Sequence, residues 1–140
     1  MKFREMFVPK QIFFAVAVLA IFIVMGLWDS ATQVKVTFAD QEVLVDTDRY
    51  DMTVPYDLIE SAELTDLPEA GVQIANGADD QTIRTGLWDN DTWGEHHICA
   101  DLESDTCIVM HLNDGRIFVF TGKDEEQTAQ HFAALQEKLK

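Results

Sequence analysis

Basic residues are scarce in this chain of 140 residues, which has 10 Lys and Arg against 25 Asp and Glu. The imbalance is concentrated after the first 28 residues. Residues 29–140 carry seven Lys and Arg against twenty-four Asp and Glu, which is a formal charge of −17. Such a surface repels phosphate backbones and anionic lipid headgroups. We therefore expect neither nucleic-acid binding nor recognition of anionic lipid headgroups.

Catalytic signatures are also missing. The sequence contains no G-x-S-x-G, no glycine-rich phosphate loop and no H-E-x-x-H. Its many carboxylates do not by themselves make a glycosidase site, because an acidic pair needs a fixed separation across a cleft and nothing in the sequence fixes one. They are better explained as a solvated acidic surface. We expect a protein without enzyme activity and without a cofactor.

A single long apolar run lies near the N-terminus. Residues 12–28, IFFAVAVLAIFIVMGLW, contain no charge, and as a helix they would be roughly 25 Å long, near the lower limit for crossing a bilayer. Lys10 and Trp28 suit the two membrane interfaces. The alternative is a cleaved signal peptide, but that has a shorter apolar region, and cleavage after Ala31 would place Asp29 where a small residue is expected. We favour an uncleaved signal anchor.

The orientation of this anchor follows from the flanking basic residues. Lys2, Arg4 and Lys10 precede the run, whereas only Lys35 follows it closely. The positive-inside rule then places the N-terminus in the cytoplasm and the acidic domain outside the cell membrane. The predicted organisation is a cytoplasmic flank at 1–11, a single-pass transmembrane helix at 12–28, a connector at 29–33 and an extracytoplasmic domain at 34–140.

Short segments with the period of a β-strand dominate the predicted domain. In QVKVTF, for example, Val34, Val36 and Phe38 alternate with polar neighbours. The segment 58–64 is ambiguous between helix and strand, and we favour a short strand with Ile59 and Leu64 in the core. Further strands are predicted at EVLVDT, YDMTV, TIRTGLW, EHHICA, DTCIVMHL and RIFVFTG, with turns at DNDTWG, DLES and NDG.

Residues 65–82 are rich in Pro, Gly, Asn and Asp, which predicts a loop with at most a short strand at Val72–Ile74. The C-terminal segment has a helical period instead. Asp124 is suited to cap a helix, with Gln127 as its capping-box partner, and the apolar residues Phe132, Leu135 and Leu139 recur at helical spacing. We expect a mainly β domain, a bent antiparallel sheet or split barrel, capped by this helix.

The stretch GLWDNDTWGEHHICA, residues 86–100, contains the residue types of a metal site. Asp89, Asp91 and Gly94 match the first, third and sixth positions of a calcium-binding EF-hand loop. The fifth position holds Trp93, and the twelfth holds Ala100 in place of the bidentate glutamate. The pattern is therefore typical of a turn in which Asp and Asn side chains bond to their own backbone.

The aromatic residues of this stretch leave two interpretations open. Trp88 and Trp93 are either partly buried hairpin residues or an exposed contact patch. His96 and His97 are adjacent on a predicted strand, so their side chains should point to opposite faces of the sheet. They cannot bind one ion together without a bulge.

The two cysteines lie on the strands that flank DLES. One possibility is that Ile98 and Ala100 on the first strand face the core together with Ile108, Met110 and Leu112 on the second. Cys99 then lies opposite Cys107, and His97 lies opposite Val109. Outside the cytoplasm the thiols then either form a strained cross-strand disulfide or stay unbridged. A zinc site made of His97, Cys99, Cys107 and His111 is the least favoured alternative, because the spacing matches no compact C-x-x-C motif.

Several of these segments together resemble the bacterial pleckstrin-homology-like (PH-like) domains. The resemblance rests on YDMTVPYDLIESAEL, on Arg84 with Gly86, on Gly94 opening a hairpin, and on NDGRIFVFTG before the closing helix. It covers roughly residues 42–139, and its motifs are not catalytic signatures. It implies a seven-stranded fold capped by a helix, tethered to the membrane and without enzyme activity.

The expected function is accordingly that of a membrane-anchored, non-enzymatic module that binds a protein partner at the cell envelope. The lipid bilayer holds the N-terminal helix, and exposed sheet edges offer sites for strand addition. The alternative is an extracytoplasmic sensor that binds cations or a small molecule through the acidic surface or the His/Cys face of the hairpin.

Overall fold

The computed structural model describes residues 34–47, 50–79 and 82–140, without the side chains of residues 76–79. The predicted anchor at 12–28, its interface residues Lys10 and Trp28, and the connector at 29–33 lie outside the described residues. Among the residues that are described, no helix has both the length and the apolar character that crossing a bilayer requires.

The described chain is mainly β, with two sheets and one C-terminal helix. This confirms the predicted fold class in its coarse form. The elements in chain order are β1 (Lys35–Phe38), β2 (Glu42–Asp46), β3 (Asp51–Pro55), a 3-10 turn (Tyr56–Leu58), β4 (Ile59–Asp66), β5 (Val72–Asp79), β6 (Ile83–Asn90), β7 (Gly94–Asp101), β8 (Thr106–Leu112), β9 (Ile117–Phe120) and α1 (Glu125–Lys138).

The first three strands form a small antiparallel sheet in the order β1-β2-β3, and the other six form a sheet in the order β4-β8-β9-β7-β6-β5. Neighbouring strands are antiparallel except β7 and β9, which are parallel. The predicted hairpin between residues 95–100 and 105–112 is wrong, because β9 lies between β7 and β8. Every side chain of β9 is apolar (IFVF), which suits a central strand that is covered on both faces.

Both faces of the six-stranded sheet are buried. One face, here called the sandwich face, packs against the small sheet and α1, and its buried residues include Cys99, Ile108, Met110, Phe118 and Phe120. From the other layer, Val43, Val45, Val54 and Leu135 join the same cluster. The opposite face, here called the concave face, buries Trp88, Ile98, Ala100, Cys107, Val109 and Val119.

The concave face is covered by a short chain segment, here called the β4–β5 link (residues 67–71). This link joins the two edge strands of the sheet, and its six peptide steps from Asp66 to Val72 reach at most about 21 Å. In a flat sheet those edges would lie about 24 Å apart across the strands alone. The sheet must therefore curl, with Leu67 and Ala70 packed on the cluster around Trp88. Within the described residues β4 and β5 pair only with β8 and β6, so the curled sheet stays open at these edges.

The C-terminal helix begins as predicted. The Asp124 carboxylate accepts a hydrogen bond from the Gln127 backbone N–H at 2.9 Å. The Gln127 side-chain oxygen accepts from the Lys123 N–H at 2.8 Å, so the reciprocal bond reaches one residue further back than an ordinary capping box. Leu135 is fully buried, and Phe132 and Leu139 pack against the same core, which confirms the predicted apolar face of the helix.

Buried hydroxyls connect the start of α1 to the turn after β7. Thr128 Oγ1 accepts from the Gly122 N–H at 2.8 Å and donates to the Asp124 carbonyl at 2.7 Å. It also lies 3.0 Å from Ser104 Oγ, which donates to the Thr106 carbonyl. Because each of these buried groups has a partner, the network holds the helix in place without leaving an unsatisfied polar atom.

The predicted core residues of β4 have different outcomes. Ile59 is half-buried against the core of the sandwich face, as expected. Leu64 is 39% exposed, so its assignment to the core is wrong. It lies opposite Ile108 on a strand that has a neighbour on one side only, and an edge position leaves one flank of its side chain uncovered.

Candidate functional site

The turn between β6 and β7 is built by an asparagine. Asn90 Oδ1 accepts from the Trp93 N–H at 2.8 Å, and Gly94 follows at a φ of +72°. Asn90 Nδ2 also donates to the Glu69 carbonyl at 3.2 Å, which connects the turn to the β4–β5 link. The predicted turn is thus confirmed. Among the described residues, no group of three or more His, Cys, Asp and Glu side chains is arranged to hold a metal ion.

The two tryptophans of this stretch are differently placed. Trp88 is only 4% exposed, and its Nε1–H donates to the Thr85 carbonyl at 2.8 Å. Trp93 is half-buried, with its ring edge-on to His96 at a centroid distance of 4.9 Å. An exposed contact patch that includes Trp88 is therefore wrong, because Trp88 is part of the core that the β4–β5 link covers.

The two histidines point to opposite faces, as their adjacency predicts. His96 is buried with the concave face, and its Nδ1–H donates to the Gly94 carbonyl at 2.8 Å. His97 lies on the sandwich face, where Nδ1 is 2.7 Å from the Tyr50 hydroxyl and the ring stacks on Phe118 at 4.6 Å. Burial lowers the pKa of both histidines and raises the pKa of Tyr50. These groups are therefore neutral at pH 7. His97 and Tyr50 contribute to the packing between the two sheets, whereas His96 packs with Trp93 on the concave face.

The predicted pairing of Cys99 with Cys107 is wrong. Cys99 lies opposite Thr85 on one side and Phe120 on the other, and Cys107 lies opposite Thr65. The two thiols are free and lie on opposite faces of the sheet. The prediction assumed that only one face of these strands is buried, whereas both faces are buried here. The alternation of residues along each strand therefore could not show which residues of β7 and β8 share a face.

The same correction applies to the low-ranked zinc site. His97 and Cys99 share the sandwich face, whereas Cys107 belongs to the concave face together with Val109. His111 has the same parity on β8 as Cys107 and Val109. The sheet therefore separates the four residues into two pairs, and the interpretation of a joint His/Cys face on one hairpin is wrong.

Burial makes both cysteines poor nucleophiles. It raises the pKa of the Cys99 thiol and of the Cys107 thiol to about 12 each. We expect iodoacetamide at pH 8 to modify the native chain at least about 100-fold more slowly than the chain in denaturant, since only the thiolate reacts. A Thr37→Cys variant, whose new thiol lies on an exposed position of β1, should take up one label at the rapid rate. A Cys99–Cys107 crosslink in non-reduced peptides would contradict this structure.

Stability should depend on pH through the buried histidines. Because burial lowers the pKa of His96 and His97 below 6.5, the unfolded chain binds more protons as the pH falls under that value. Their contribution is thus complete above pH 6.5 and is lost as the pH falls through the folded-state pKa. Urea midpoints should decrease from pH 7.5 to 5, and His97→Gln should weaken that dependence. A urea midpoint that did not change with pH in the wild type would contradict this prediction.

Asp101 acts in the opposite direction at more acidic pH. Burial raises its pKa, so the folded chain binds this proton more readily than the unfolded chain.

Among the described residues, the most exposed large hydrophobic side chains lie on edge strand β5. Val72 is 69% exposed and Ile74 is 46% exposed. Gln73 lies opposite Trp88 and Ala75 lies opposite Leu87, so Ile74 is an extra residue in a β-bulge and has no partner on β6. The composition of residues 65–82 predicted a loop here with a short strand at most. The signal that identifies it is Val72-Gln73-Ile74, a short alternation directly after a glycine.

The other edge strands are better protected against pairing with a foreign strand. On β4, Glu60, Glu63 and Asp66 are exposed, and charges on an edge oppose the addition of another strand. The edges of the small sheet, β1 and β3, have four and five residues, and β3 ends at Pro55. From Val72 to Ala75, β5 carries no charge. This part of β5 is therefore the candidate binding site.

Relatives offer no further guide to this site. Comparisons of the chain with protein-family models, with curated proteins and with solved structures found no match. The function is therefore inferred from the geometry of the described residues and from the sequence.

Proposed function

We propose that the protein is a non-enzymatic module that is anchored in the cell membrane and binds another protein at the cell envelope. The observation that carries this proposal is the exposure of Val72 and Ile74 on the edge strand β5. Together with Leu64 they are the large hydrophobic residues that are exposed among the described residues. Exposed apolar residues at an unpaired strand edge are typical of protein-binding surfaces.

The membrane anchor is proposed from the sequence. Residues 12–28 contain no charge, and three of the four nearby basic residues precede them. This favours a single pass with residues 34–140 outside the cytoplasm. A reporter that is active only in the periplasm or outside the cell, fused after Lys140, should be active, and a cytoplasmic reporter at the same position should be inactive. The reverse pattern would overturn the orientation.

The chemistry of the buried polar groups supports a role without catalysis. His96 donates to the Gly94 carbonyl, and His97 contacts the Tyr50 hydroxyl, whose pKa is raised by burial, so this hydroxyl stays protonated and is a poor nucleophile. The two thiols have a pKa of about 12, which leaves them protonated at neutral pH.

We also propose, from the resemblance described above, that the domain is a divergent member of the PH-like architecture. The C-terminal helix that packs against the β-rich core supports this. The resemblance implies seven strands, whereas the described residues contain nine, with one parallel pair. Protein binding through β5 does not depend on this assignment.

Proximity labelling in the native host tests the proposal. A labelling enzyme is fused after Lys140 of the full chain, and the control is the same enzyme fused after residue 33, which keeps the predicted anchor alone. We expect specific envelope proteins to be enriched by the full chain over the anchor control. If both fusions label the same proteins to the same extent, the proposal of a protein-binding module fails.

A further inference from the structure

Four strands form the edges of the two sheets, and they are not equivalent. β5 pairs with β6 on one side, and no described strand pairs with its other side. Its backbone N–H and C=O groups on that side are available to an added strand. As shown above, β4 carries acidic side chains along its edge, whereas Val72–Ala75 of β5 carries exposed apolar ones.

The bulge in β5 lies at Ile74, whereas Val72 is in regular register opposite Asp89 at the start of the strand. Two residues, Ile74 and Ala75, occupy the space opposite Leu87, so Ile74 is displaced from the regular ladder. Gly71 starts the strand at a φ of +84°, and a Cβ at this position would lie 2.8 Å from Asn90 Cα. The start of β5 is thus fixed tightly against the end of β6, and the exposed residues are held in a defined geometry.

The charge around this edge is acidic. Asp89 lies directly opposite Val72 on β6, Glu69 lies two residues before Gly71, and Asp91 is exposed in the adjoining turn. A second copy of this chain would bring an equal negative charge to the same edge, which opposes self-pairing. An incoming strand with Lys or Arg between its apolar residues would be attracted instead.

We infer that the β5 edge, at Val72–Ala75, binds an extended segment of a partner protein by strand addition, and that this segment alternates apolar β-branched residues with Lys or Arg. This inference rests on the proposed function and specifies its binding site. Backbone hydrogen bonds supply affinity in this mode, and the alternate side chains supply specificity. Val72 and Ile74 give the apolar contact, and Glu69, Asp89 and Asp91 give the charge complementarity.

A direct binding measurement uses the full chain in nanodiscs of zwitterionic lipid, with empty nanodiscs as the blank. The probe is the fluorescein-labelled peptide VKVKVKVK. It is compared with VVVVKKKK, which has the same composition without alternation, and with VEVEVEVE, which reverses the charge. We expect saturable binding of VKVKVKVK in fluorescence anisotropy, at least about tenfold tighter than either comparison peptide. Absence of saturable binding, or equal binding of VEVEVEVE, would overturn the inference.

Two double variants locate the binding site. Val72→Lys with Ile74→Lys places two charges on the β5 edge and should weaken VKVKVKVK binding at least about tenfold, because the incoming strand meets charge in place of an apolar surface. Ser61→Lys with Leu64→Lys places the same two charges at exposed positions of β4 and should change binding by less than about threefold. Circular dichroism checks that both variants are folded. Equal weakening by the two variants would show that only net charge matters, and would overturn the inference.

The same variants separate this inference from the proposed function. In proximity labelling, enrichment of partners that is lost with the β5 variant and kept with the β4 variant supports strand addition at β5. Enrichment that survives in the β5 variant overturns the inference but leaves the protein-binding module intact. Sedimentation that shows a concentration-dependent dimer, abolished by the β5 variant, would overturn it in favour of a second copy as the occupant.

Discussion

Replacing Leu135 by alanine is expected to reduce the free energy of unfolding by about 2–5 kcal/mol, the range for removing a fully buried leucine side chain. Leu135 is fully buried and packs with residues of both sheets. Its truncation would leave a cavity where helix and sheets meet, and the helix is held at its start by the Thr128 and Asp124 hydrogen bonds, so it cannot move freely to fill the space. Urea unfolding of the full chain in nanodiscs, followed by tryptophan fluorescence, measures the loss.

Leu64→Ala is the matched control for this variant. It removes the same atoms from a side chain that is 39% exposed on edge strand β4. The expected loss is no more than about 1 kcal/mol, because less apolar area returns to water and water already reaches the site. If the two variants lost equal stability, the placement of α1 against the core would be wrong.

Replacing Gly71 by alanine is expected to cost about 2–5 kcal/mol, the sum of a strained backbone and a steric conflict. At a φ of +84° the backbone is in the left-handed region that glycine tolerates best. A new Cβ would also collide with the Asp89 carbonyl oxygen and lie 2.8 Å from Asn90 Cα, and both are backbone atoms that cannot rotate away. The first pairs of β5 with β6 should separate. Hydrogen exchange of the Val72 and Gln73 amides detects this, because the one of the two that points to β6 should lose its protection.

Gly115→Ala separates the two contributions. Gly115 has a similar φ of +94°, but a Cβ there meets nothing within 4 Å. This variant should cost only about 1–2 kcal/mol for the left-handed backbone. Equal losses of stability in the two variants would show that the backbone atoms of Asp89 and Asn90 move away from the new Cβ at little cost. Since Gly71 starts the β5 edge, Gly71→Ala should also weaken VKVKVKVK binding, whereas Gly115→Ala should leave it unchanged.

Local patterns predicted most of the elements. The alternation of Val34, Val36 and Phe38 gave a strand with those side chains directed to the core. Asp124 and Gln127 predicted the start of the helix because a cap depends only on residues within one turn. Asn90 and Gly94 predicted the turn for the same reason. In each case, the physical cause lies within a few residues of its effect.

Long-range pairing was not predictable in the same way. The sequence places β7 directly before β8, and nothing local shows that β9 will separate them. Because β9 lies between β7 and β8, Cys99 and Cys107 are not neighbours, and they lie on different faces of the sheet. The candidate site was missed for a related reason. The exposure of Ile74 comes from a bulge relative to Leu87, and a register shift is a property of two strands together.

The position of β9 has a consequence for the order of assembly. This strand occupies the middle of its sheet, yet it follows all the other described strands along the chain. Until residues 117–120 have left the ribosome, β7 and β8 each have an unpaired edge, and the β6–β7 hairpin cannot join the β4–β8 pair. A nascent chain therefore holds two incomplete half-sheets, and such species expose strand edges that aggregate readily. Productive folding would be largely delayed until synthesis of the final strand, when one short apolar segment joins the halves.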